Sequence, residues 1–88
     1  MLELEDVFKM LNKAERLLEL RIQLGFKFVH QLEAADAVFN LAMLAGEIEK
    51  AERVASMGEE MALVRCGDGR LVEDWRRKKA NPMIYMLG

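Results

Sequence analysis

Cross-links are what this chain lacks. Cys66 is the only cysteine and His30 the only histidine, which excludes an intramolecular disulfide and leaves too few soft ligands for a structural zinc cage. Proline is confined to Pro82, and the stretch between Leu2 and Met57 holds two glycines, Gly25 and Gly46. A chain so poor in breakers has little to interrupt a helix over most of its length. It also has no charge-free apolar run long enough to span a bilayer, since Asp36 and Asn40 interrupt the richest region; about 18 or more such residues would be needed. The start, with Glu3, Glu5 and Asp6, is acidic where an export signal carries a basic segment. A lone thiol without such a signal fits a reducing, cytoplasmic setting.

No nucleotide-binding, metal-binding or nucleophile-and-base motif is present in the sequence, so the chain reads as non-enzymatic, with no cofactor and no metal. His30 and Glu33 form a His-x-x-Glu pair, the reverse of the Glu-x-x-His order of di-iron bundles. Glu15 and Glu19 are the only further carboxylates a hairpin would bring toward it. His30 therefore reads as a surface or boundary histidine near a helix start. Cys66 has no nearby base to activate it and reads as a buried or half-buried thiol filling a small gap. Asp68 followed by Gly69 lacks the alternating oxygen ligands of a calcium loop, with Arg70, Val72 and Asp74 beyond it. Seven methionines without interleaved cysteine or histidine point to core filling or an adaptable contact surface rather than copper.

What the chain has is helical rhythm. Leu4, Val7, Phe8, Leu11, Ala14, Leu18 and Ile22, then Ala34, Ala37, Val38, Leu41, Leu44, Ile48, Ala51 and Ala55, recur at spacings of three and four, placing them on one side of a helix. Gly25 is the expected stop between two helices, with Phe26 folding back on the last turn; the alternative is one very long helix running through Gly25, since no Ser, Thr, Asp or Asn caps a new start between Phe26 and His30. The second helix is expected to run over 28–57, its many small residues, Ala42 and Gly46 among them, allowing close approach of a neighbouring helix.

Beyond residue 62 the pattern changes. Gly67-Asp68-Gly69, between Leu63-Val64-Arg65-Cys66 and Arg70-Leu71-Val72, predicts a short β-hairpin; the alternative is that Glu59-Glu60-Met61-Ala62-Leu63 carries the helix onward toward Cys66. The nearly all-apolar Met83-Ile84-Tyr85-Met86-Leu87 is expected to bury itself in its own fold or in a neighbour's groove. Charge divides in the same place: residues 1–62 carry twelve acids and seven bases (12 − 7 gives −5), and residues 63–88 three acids and six bases (6 − 3 gives +3).

These readings combine into one expectation. The fold class is mainly α: a long two-helix hairpin (1–62) with a small C-terminal β-hairpin and extended tail (63–88), the whole one domain. With 52% of its 88 residues hydrophobic, and chains of this size hiding only about 60% of their surface, a second copy is expected to complete a four-helix-like core. The expected self-contact comprises Leu4, Leu11, Leu18, Ala34, Leu41, Ala42, Leu44 and Ile48. A protein partner is expected at Trp75, Arg76, Arg77, Lys78, Lys79 and Tyr85, aromatics and arginine being usual anchors of such contacts. The function expected is therefore a small interaction module: an adaptor, inhibitor or regulator acting as a homo-oligomer, with no membrane role. Two alternatives stand beside it. One is nucleic-acid binding through the segment Trp75–Lys79, its cations on phosphates and its indole stacked on a base, weakened by a sequence pI near 5.4. The other is a structural subunit of a virion or filament.

Overall fold

The computed structural model describes residues 3–80, and helices account for nearly all of them. Helix α1 spans Leu4–Gln23, α2 Phe28–Leu44, α3 Ile48–Met61 and α4 Gly69–Ala80. Helix α3 passes without a break into a single π-helical turn, Ala62–Cys66. No strand occurs among the described residues, and no helix there is long and apolar enough to cross a membrane.

Two corrections to the expected fold follow. The long second helix is two helices, because Gly46 stops it. Gly46 takes φ +77, its N–H donates to Met43 O at 3.1 Å, and the N–H of Glu47 reaches Ala42 O at 2.8 Å. That paired closure is the Schellman motif. The same closure ends α1, where Gly25 has φ +70 and donates to Ile22 O while Phe26 donates to Arg21 O. The second correction concerns the β-hairpin. Residues 62–66 are helical and Gly67 ends them, its N–H donating to Ala62 O at 2.8 Å. Asp68 then starts a new helix: its Oδ1 accepts the N–H of Arg70 at 2.9 Å, as an N-cap side chain does. Hence Gly67-Asp68-Gly69 is a helix stop followed by a helix start.

Helix α2 lies at the centre. Gln31, Leu32, Ala34, Ala35, Val38, Phe39, Ala42 and Met43 are all buried on it, covering much of its circumference, as expected of a helix with neighbours on several sides. Helix α1 packs on α2 through Val7, Leu11, Ala14 and Leu18. On another side, α3 brings Ala51, Val54, Ala55 and Gly58 to the core, and α4 closes over α3 with Val72 and Trp75. Loops of two to four residues join these helices, so consecutive ones lie side by side. The one buried polar residue of this core, Gln31, is satisfied by donating from Nε2 to Phe26 O at 2.7 Å.

Candidate functional site

The basic segment 76–79 lies on α4; three of its four cations face carboxylates, and one of them, Lys78, is drawn into the molecule. Arg76 faces Glu59 of α3 at 3.5 Å, and Arg77 faces Glu73 one turn earlier at 3.9 Å. Lys78 pairs with Asp36 of α2, its ammonium 4.4 Å from the centroid of the Trp75 ring and 5.7 Å from that of Phe39. Trp75 itself is only 3% exposed. Its indole lies on Gly58, where an added Cβ would stand 2.7 Å from Cε2 and closer still to Cδ2 and Cε3. The expectation of a surface tryptophan is thereby corrected, since the helical spacing of α4 turns Trp75 inward with Val72. Arg76, Arg77 and Lys79 remain at the surface. Tyr85 lies outside the described residues.

The expected self-contact residues divide in two. Leu11, Leu18, Ala34 and Ala42 are buried by the chain's own helices. Leu41 and Ile48 are half-buried, and Leu4 and Leu44 are exposed. His30 and Glu33 sit at the surface, Nδ1 to Oε2 3.7 Å apart, and Glu15 pairs instead with Lys50 of α3 at 2.6 Å. Among the described residues no three or more acidic, histidine or cysteine side chains gather as metal ligands. Cys66 is half-buried against the core.

Among the described residues, two further apolar patches stand out. The first is a stripe along the outer side of α1: Met10, Leu17, Leu20 and Leu24 are exposed, the last by 70%. Their separations of seven, three and four residues repeat the a/d spacing of a coiled-coil seam. The spacing of this stripe is readable in the sequence, but it is masked there by the stronger inner stripe on the same helix.

The second is a groove of about 280 Å³ between the end of α1, the start of α2 and the end of α3. Ile22, Phe28, Met57, Met61 and Val64 supply its apolar lining, and Gln31, Glu60 and Arg65 its polar groups. The π turn builds one wall. Winding wider than an α-helix, it brings Leu63 and Val64 to the surface, Val64 at 66% exposure, and sets the Arg65 guanidinium 5.5 Å from the Phe28 ring centroid. Across the turn between α1 and α2, Arg21 fixes the other wall by donating from Nη1 to His30 O at 2.6 Å. Sequence reasoning missed this groove because it left 59–66 open between helix and strand.

Comparison with protein families, with curated proteins and with solved structures finds no match to this chain.

Proposed function

We propose that the chain is a non-enzymatic helical interaction module, cytoplasmic, that pairs with a second copy through the outer side of α1 and presents its remaining apolar surface to a protein partner. The observation that carries this is the exposed, seam-spaced row of Met10, Leu17, Leu20 and Leu24. A monomer gains nothing from holding four large apolar side chains in water at that repeat, whereas two such rows laid together bury one another. The four-helix-like arrangement then comes from two α1–α2 hairpins meeting on their outer sides. It differs from the expected one in which side of α1 is shared.

A nucleic-acid role through residues 76–79 receives less support. A phosphate backbone would have to displace Glu59, Glu73 and Asp36 from Arg76, Arg77 and Lys78, losing pairs already made. Light scattering of eluting protein across a micromolar concentration series tests the proposal. Native chain is expected at twice the protomer mass, and the double variant Leu17→Glu, Leu20→Glu at the protomer mass with unchanged helix content. A native chain that stays at protomer mass throughout would refute self-pairing.

A further inference from the structure

We infer that two copies pair with their α1 helices antiparallel, so that the two π-turn grooves lie at opposite ends of the dimer. Resting on the self-pairing proposed above, this fixes the direction in which the copies meet. The charges that border the apolar row decide it. With Met10, Leu17 and Leu24 at a positions and Leu20 at d, the same seam takes in Glu3 at a, and Asp6 and Lys13 at d. Arg16 falls at g and Arg21 at e, the flanking positions whose charges set orientation. Lys9, also at g, is met by Glu5 one turn earlier at 3.8 Å. The seam is therefore acidic at its start and cationic from there on. Glu15 and Glu19 fall at f and c, off the seam, and Glu15 is held by Lys50 of α3. Among the described residues, Glu3, Asp6, Lys13 and Arg16 make no ion pair within the chain, and all four are exposed.

A parallel pair sets like against like. Each layer then repeats itself across the axis, bringing Asp6 to Asp6, Lys13 to Lys13, and Arg16 at g to Arg21 at the next e of the second copy. Every one of these meetings is between charges of one sign. Turning one helix round removes all three. With Met10 of one copy facing Leu20 of the other, Leu17 lies along the aliphatic stem of the second copy's Lys13, whose ammonium reaches water. Asp6 falls beside Leu24 of the second copy, one turn from Arg21, so the acidic start of each helix meets the cationic end of its neighbour. The two helix dipoles also run in opposite directions.

Direction decides what the dimer presents. Ile22, near the end of α1, lines the groove, so a parallel pair would set both grooves side by side. In the antiparallel pair Ile22 of one copy lies level with Phe8 of the other, and the two Ile22 positions stand about 21 Å apart along the axis. Arranged so, the dimer is suited to bridging two partner molecules rather than clamping one.

Disulfide trapping on the full chain tests the direction. In a Cys66→Ser background, a chain carrying Met10→Cys is mixed with one carrying Leu20→Cys and oxidised. The expected product is the mixed dimer, several-fold enriched over either like-with-like dimer. A parallel pair gives the reverse, because each substituted position then faces itself. A statistical mixture, or dominance of the like-with-like dimers, overturns the antiparallel arrangement and leaves self-pairing standing; a native chain that elutes at protomer mass overturns both. Should Cys66→Ser prevent folding, a photo-reactive residue at position 20 of the otherwise native chain takes its place, mixed with an isotope-labelled second copy. Cross-links to residues 8–12 of the labelled copy support the arrangement. Cross-links to residues 17–24, or to neither stretch, overturn it.

Discussion

At Gly58 a hydrogen in place of a side chain lets the Trp75 indole lie directly on α3. One missing methyl group thus decides how closely the last helix docks. Gly58→Ala is expected to lower stability by about 1–3 kcal/mol through overpacking, read as a fall in the urea midpoint monitored by Trp75 fluorescence. The same ring explains why the neighbouring cations are not equivalent. Lys78, with a side chain only 15% exposed, meets Asp36 and two aromatic faces, whereas Lys79 is at the surface. Lys78→Ala is expected to cost roughly 1–2 kcal/mol, and Lys79→Ala to stay within about 0.5 kcal/mol, in the same titration. Equal losses at the two positions would contradict this placement. In the sequence, Trp75 followed by four cations resembles a binding surface. Its inward direction follows from α4 starting at Gly69, which a reading of 63–72 as strands concealed.

Helix boundaries are where sequence reading fared least well, and the cause lies in the caps. The chain contains no threonine and a single serine, Ser56, so the usual markers of a helix start are scarce. Glu3, Lys27 and Glu47 occupy the N-cap positions of α1, α2 and α3 without a side-chain hydrogen bond. Gly25 was legible as a stop because Phe26 and a change of pattern follow it. Gly46 was not, because alanines surround it and the apolar spacing continues through Ile48 and Ala51. Two substitutions examine these ends. Gly46→Ala meets open space, so its cost is conformational, about 1 kcal/mol or more for an alanine forced to positive φ. Asp68→Ala removes the cap of α4 and is expected to cost about 1 kcal/mol, with amide exchange quickening first in the opening turn of α4. Slower exchange at the start of α1 than at the start of α4 in the native chain would run against the capping pattern.

Taken whole, the molecule achieves with four short helices what the sequence suggested needed two chains. Much of the apolar face expected to await a partner, Leu11, Leu18, Ala34 and Ala42 included, is covered from within. That the fold is helical was legible from spacing alone; that it closes on itself was not, since closure depends on the turns at Gly46 and Gly67. The surfaces left over, the α1 stripe and the π-turn groove, are where contact with other molecules is proposed. Folding and association thus become separable. Urea unfolding of the Leu17→Glu, Leu20→Glu variant, followed by Trp75 fluorescence at two widely spaced protein concentrations, tests it most directly. A single cooperative transition with the same midpoint at both concentrations is the expected result. An unfolded variant, or a midpoint that rises with concentration, would mean that the core is completed only by a second copy.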